Sequence, residues 1–196
     1  MTRTPGSKKA ETHAGIVKTA ARALRRSGAA GVAVADVMQQ AGLTHGGFYA
    51  HFASRDAMLA EAAEQAAGES LASLTRAVER RPHPQTPLQA LVQAYLSERH
   101  LQTPDRGCLL AAMGTDLQRA SPALRQVATA QIRQMLETVR AQLPPGDRAE
   151  RDAAAVMTLS AMVGAMVIAR AVDDDAFAAQ VLADTRERLA ANAAPP

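Results

Sequence analysis

Aromatic residues are scarce. The chain has no Trp, three Phe and two Tyr in 196 residues, so Ala, Leu, Val and Met must fill its interior. An interior of that kind favours helices, because Ala has no side-chain entropy to lose and Leu and Met lose little in a helix. Cysteine is scarcer still: the single Cys108 excludes an intramolecular disulfide framework and any zinc site built on paired cysteines. A reducing cytoplasm is the compartment this fits. No alternating Val, Ile or Thr run bounded by turn residues occurs, so no strand is expected. No apolar core follows the basic Arg3, Lys8 and Lys9, since Ala10-Glu11-Thr12-His13-Ala14-Gly15 comes next; a secretory signal, and with it export, is not expected. The segment Ala153 to Ala169 lacks charge altogether and approaches the roughly 20 apolar residues of a membrane span. It is short and rich in Ala, Gly, Ser, Thr and Met, with Arg151, Asp152 and Arg170 flanking it, so it reads as a buried helix and no membrane partner is expected. Ligand spacing is also missing among the histidines. His13, His83 and His100 are scattered, and His45 and His51 diverge on a helix, so neither a metal nor another cofactor is expected.

Acidic residues are sparse in the first 55 positions, where Glu11 and Asp36 stand against Arg3, Lys8, Lys9, Lys18, Arg22, Arg25, Arg26 and Arg55, a balance of +6 in a chain of net charge +3. Such asymmetry points to a polyanionic partner for the N-terminal portion, although a basic tail can equally be a solvated arm.

What is present is helical periodicity. A first helix fits Glu11 to about Ser27, with Ile16, Val17, Ala20 and Leu24 at helical spacing. A second fits about Ala35 to Ala41, followed by Gly42 where a left-handed turn residue is wanted. Ser54 caps a long helix from Arg55 to about Arg80, ended by Pro82 and Pro84. Thr86-Pro87 opens a helix to about Leu101, a further helix spans about Cys108 to Ala120, and Ser121-Pro122 opens another that runs to Pro144. Asp147 with Glu150 has capping-box spacing at the start of the apolar helix reaching about Val172. A last helix follows from about Ala176 to Ala191. The fold class is all-α, about nine helices.

Two short helices joined by a tight glycine-containing turn form the geometry that lays one helix in the DNA major groove while the other braces it. In the segment Ala35 to Phe52, the apolar Val34, Val37, Met38, Leu43, Phe48 and Phe52 can form the inner half. Thr44, His45, Gly46, Gly47, Tyr49 and His51 are left on or near the outer side. Hydroxyls, imidazoles and free helix-terminal amides all donate to phosphate oxygens, and adjacent glycines let a backbone approach DNA closely or simply form a tight turn. Phe48 and Phe52, at i and i+4, read as core rather than as wedges between bases.

The run Ala41 to Asp56 resembles the recognition segment of the TetR family of bacterial repressors, and the layout of a small reader followed by a longer helical body resembles it too. The resemblance implies a helix-turn-helix domain over 1–53 and a ligand-binding and dimerisation domain over 54–196. It implies that Thr44 and His45 approach phosphate and base edges and that Tyr49, His51 and Arg55 contact phosphates. A homodimer on a palindromic operator in double-stranded DNA, joined through its last two helices, and a small apolar or reactive effector in the middle helices follow as the family's pattern. Two departures stand out: Val32 and Ala33 replace the usual hydroxyl residues before the second helix, and His45 replaces a commonly basic residue. The DNA grip is therefore expected to lean on Arg55, on Lys18 and on a Lys8/Lys9 arm.

For the body, Tyr95, Met113, Leu117, Met135 and Met157 are candidate effector-lining residues, Met supplying adaptable apolar surface, with ordinary core packing as the alternative. Cys108, just after a turn, reads as a redox- or electrophile-sensing thiol or as a buried inert one. A small all-helical enzyme built on Cys108 and His100 is a rival, but no third orienting group or oxyanion element accompanies them, so no catalytic residue is assigned.

Overall fold

The computed structural model describes residues 5–191, and Arg3 and the terminal prolines lie outside them. All regular structure among these residues is helical: α1 (Pro5–Ser27), α2 (Val34–Gln40), α3 (Arg55–Glu79), α4 (Pro87–Tyr95), α5 (Glu98–Gln102), α6 (Leu109–Met113), α7 (Pro122–Gln142), α8 (Arg148–Ala171) and α9 (Asp175–Ala191). Short 3-10 turns occupy His45–Ala50, Pro104–Arg106 and Leu117–Arg119.

Local chemistry sets most ends. Ser54 Oγ accepts from Ala57 N, and Thr86 with Gln89 forms a reciprocal capping box ahead of Pro87. Ser121 accepts from Leu124 N, and Asp147 from Ala149 N and Glu150 N. Each fills orphan donors of a first helical turn. Two predicted helices are broken. The one expected to reach Leu101 stops at Tyr95, because Ser97 Oγ donates to Ala94 O at 2.9 Å and accepts from His100 N at 3.2 Å, starting α5 anew. The helix expected over Cys108 to Ala120 contracts to α6, with Cys108 as its N-cap and Gly114 at its end. The first helix starts earlier than expected, so Lys8 and Lys9 sit on its first turns rather than on a loose arm.

Helix α3 is the spine. It packs on α1 on the reader side and on α4 and α7 in the body, while α8 packs on α6, α7 and α9. Over its most apolar window α8 has a mean hydropathy of 1.8 and is long enough to cross a membrane; here its inner face, with Leu159, Met162 and Met166, joins the core.

One charged group crosses the interior between reader and body. Arg25 of α1 is buried, its Nη2 donating to Glu69 Oε2 at 2.6 Å and its Nη1 reaching Ala66 O at 3.4 Å and Gly107 O at 3.5 Å. Burial alone would raise the Glu69 carboxyl, but bonds from Gln65 and Arg25 bring it below its ordinary value, so the pair stays ionised. Gly107 itself is closely enclosed: a Cβ there would lie 2.6 Å from His100 Nε2 and 2.9 Å from Arg170 Nη2, which only glycine avoids.

Candidate nucleic-acid interface

Helix α2 ends in a turn whose geometry requires Gly42. Its φ is +74°, and the amides of Ala41, Gly42 and Leu43 fold back onto Val37 O, Gln39 O and Met38 O. The chain then enters the 3-10 turn His45–Ala50, one inner face of which is Phe48, stacked on Phe52 at 5.4 Å between ring centroids. Phe48, Phe52, Val37 and Met38 are all buried, so the inner half of the motif is core, as its spacing predicts. The second element is a 3-10 turn rather than an α-helix, in keeping with two consecutive glycines of low helix propensity.

The outer half is open. Thr44 sits at the N-cap position, is exposed, and its hydroxyl makes no bond to the turn it precedes. His45 and Gly46 are exposed, and Tyr49 is 75% exposed. Neither Gly46 nor Gly47 has a positive φ; a Cβ at Gly46 would meet nothing within 4 Å, and one at Gly47 would touch only Met38 Cε at 3.7 Å. The fold thus imposes no need for glycine at either position.

Two residues of the predicted phosphate set are placed differently. Arg55 turns inward: Nε donates to Val32 O at 3.0 Å, Nη2 donates to Ala29 O, and Nη1 lies 3.9 Å from Asp56 Oδ1. Its fork clamps the α1–α2 turn to the start of α3. His51 is half-buried with Nδ1 enclosed and unbonded, its ring 5.9 Å from that of His13. His13 in turn stacks on Phe52 at 4.6 Å and bonds Glu61 at 2.6 Å, tying α1 to α3. Lys8 is exposed and lines one crevice with Thr12 and Thr19 of α1 and Ala41 and Leu43 of the turn, so it flanks the reader. Helix α2 starts at Ala33 with no side-chain cap, the consequence of the Val32-Ala33 departure.

In the body, Tyr95, Met113, Leu117 and Met135 are buried where four middle elements meet, whereas Met157 is 70% exposed on the outer face of α8. Met157 does not line the interior, because it falls on the stripe of α8 that faces away from α7. Cys108 is fully buried with Sγ 3.9 Å from Met135 Sδ. His100 receives the Cys108 backbone N–H at Nε2 (3.0 Å) and donates from Nδ1 to Tyr95 O (2.6 Å), so both ring nitrogens serve the backbone and neither addresses the thiol. Burial, reinforced by Arg170, lowers the His100 pKa to about 4 against a bond to Tyr95 O that favours the cation; the ring is neutral at pH 7. Burial, followed by the neighbouring Cys108, holds the Tyr95 phenol well above its ordinary range. No group of His, Cys, Asp or Glu suited to a metal occurs among the described residues.

Sequence reasoning passed over Arg25 and Arg170. Each had a signal: Arg25 continues the i, i+4 register of Val17 and Ala21, and Arg170 continues that of Met162 and Met166, so both are cations on buried faces.

Residues 16–62 match the family model described as bacterial regulatory proteins, tetR family. Among curated proteins no sequence match is found. Among solved structures, a TetR transcriptional regulator from Chloroflexus aurantiacus superposes with a TM-score of 0.78 at 26% identity, covering 94% of each chain. A TetR-family regulator from Streptomyces coelicolor gives 0.72 at 22% identity over 100% of this chain and 98% of that one. The reduced form of NemR from Escherichia coli gives 0.78 at 15% identity over 95% and 98%, a likeness of fold. The helix-turn-helix thus lies inside the segment that matches the tetR family of bacterial regulatory proteins, and the whole length shares the all-α architecture of the solved TetR regulators.

Proposed function

We propose that this transcriptional regulator is a cytoplasmic, ligand-responsive repressor that binds a palindromic operator as a homodimer, with residues 1–53 as reader and 54–196 as effector-binding and dimerisation body. The observation that carries the reading is the row of unspent outer groups on the reader: Thr44, His45, Gly46 and Tyr49 lie exposed on one motif whose inner residues Val37, Met38, Phe48 and Phe52 are buried. Hydroxyl and imidazole donors so placed suit phosphate and base edges, with Gly47 giving backbone access. Arg55 contributes by holding the motif's shape, and Lys8 adds a phosphate contact beside it.

A single reader covers one half-site, so specific affinity needs two. Val156, Met157, Val167 and Ile168 of α8 and Phe177 of α9 are exposed large apolar residues, and a Cβ at Gly164 between them would meet nothing within 4 Å. Such a stripe, self-complementary about a two-fold axis, supports a dimer built on these helices. The effector reading rests on the buried Tyr95, Met113, Leu117 and Met135 of the middle elements. For Cys108, the buried and packed thiol favours a structural role.

The test is fluorescence anisotropy with the DNA upstream of the chain's own gene against a scrambled duplex, across a salt series. A specific complex is expected, with Tyr49→Phe and Thr44→Ala each weakening it about tenfold through loss of a bond to an anionic oxygen. No preference for the upstream DNA, or unchanged affinity in both variants, overturns the assignment.

A further inference from the structure

Between α5 and α9 lies a crevice of about 690 Å³, a volume within the range of small-molecule sites. Its walls are apolar at Leu96, Leu101, Ala178 and Leu182, and two guanidinium groups, Arg170 and Arg186, stand among them. Neither forms an ion pair with a carboxylate among the described residues. Arg170 Nη2 donates to His100 O at 2.7 Å, and Arg186 Nη1 to Leu96 O at 3.3 Å. Arg170 Nε and Nη1 are enclosed without any acceptor, and the Tyr95 phenol, beside the Cys108 thiol, lies within electrostatic reach of that guanidinium. The two acids on the same crevice, Glu98 and Asp175, are exposed; Glu98 accepts from Gln102, and Asp175 sits on the first turn of α9.

The unmet groups of Arg170 are all donors, and they sit on a cation that burial disfavours. Water supplies acceptors but no counter-charge; a carboxylate supplies both, and the planar fork of arginine matches its two oxygens. We propose that the crevice binds an amphipathic organic anion, its apolar body laid on Leu96, Leu101, Ala178 and Leu182 and its carboxylate received by Arg186 and by Arg170, whose guanidinium turns out of its enclosed seat to reach it. The position suits a regulatory ligand: α5 leads into the turn Pro104–Arg106, which packs on α1, and the next residue, Gly107, offers its carbonyl to Arg25 of α1. Only this consequence for DNA rests on the ligand-responsive reading above; occupancy of the crevice does not.

Isothermal titration of the full chain with octanoate, and with octanol as the neutral counterpart, tests the site. Octanoate is expected to bind once per chain and octanol at least about tenfold more weakly. Arg170→Gln and Arg186→Gln should each weaken octanoate about ten- to a hundredfold and leave octanol unchanged. Arg170→Gln should keep a cooperative melt at or above the parent temperature, since it removes an unmet buried charge, and Arg186→Gln gives the same information from a second place. Absence of octanoate binding, equal affinity for octanol, or parental octanoate affinity in both variants overturns the proposal. Anisotropy with the upstream DNA then separates the two readings. Octanoate binding without loss of DNA affinity keeps the site and removes its regulatory consequence, while specific DNA binding without octanoate binding removes the site alone.

Discussion

Replacing Arg55 by Ala separates a clamp from a phosphate ligand. Two of the three guanidinium nitrogens of Arg55 donate to the carbonyls of Val32 and Ala29, and Val32 is buried. A charged donor to a neutral acceptor contributes about 1.5–3 kcal/mol when well enclosed. The Arg55 side chain is 39% exposed, so solvent screening reduces the pair of bonds together to about 1–3 kcal/mol. With a urea slope of about 2 kcal/mol/M, the midpoint of a circular-dichroism melt should fall by about 0.5–1.5 M. Arg55→Lys should recover little of it, because an ammonium cannot fork to two carbonyls. DNA affinity measured well below the melt should fall modestly, and the slope of log affinity against log salt should stay that of the parent, since no phosphate contact is lost. A phosphate ligand behaves in the opposite way: stability is unchanged, affinity drops, and the salt slope shrinks by about 0.9 for each chain's contact. That second pattern in Arg55→Ala refutes the clamp.

Gly46→Ala should leave the free chain as stable as the parent or raise its stability by up to about 1 kcal/mol, as a Cβ there meets nothing, while weakening DNA binding if the backbone approaches the duplex; equal DNA affinity would remove the close-approach argument. Met157→Glu with Ile168→Glu places charge in the exposed α8 stripe and should give monomers in sedimentation velocity that melt cooperatively; retained dimers would move the interface elsewhere. Because His100 titrates at about 4 in the fold against an ordinary 6.5, the unfolded chain binds the extra proton first. Stability should therefore fall as pH drops from about 6.5 to 4, by up to about 3 kcal/mol from this group. His100→Gln should flatten that part of the profile, and a slope identical to the parent's would show that another group governs it.

Helix ends written in adjacent residues were legible in the sequence. Ser54, Thr86, Ser121 and Asp147 each cap the helix their spacing announced, and Gly42 turns where the reader needs it. Interruptions inside apolar runs were not. Leu91, Val92, Tyr95 and Leu96 are buried before the break and Leu101 is half-buried after it, so periodicity ran through Ser97 without a sign. The methionines of α8 show the same limit: Met162 and Met166 are buried and Met157 is exposed, yet a helix apolar on most of its faces does not say which face has a neighbour.

The reader shows why outward polarity is an incomplete signal for a binding residue. Spacing put Thr44, His45, Tyr49 and His51 in one outward class, and the family resemblance added Arg55 to it. What divides them is whether another part of the chain already bonds or covers the side chain: Arg55 is bonded to the carbonyls of Ala29 and Val32, and His51 is half-buried beside His13, all far away in sequence. Arg55, the cation nearest the turn, is spent on carbonyls, and the unclaimed side chains that remain are a threonine, a histidine and a tyrosine. The proposed reader would therefore draw its affinity from directed hydrogen bonds repeated over two half-sites, with the cationic contribution displaced to Lys8 and its neighbours on α1.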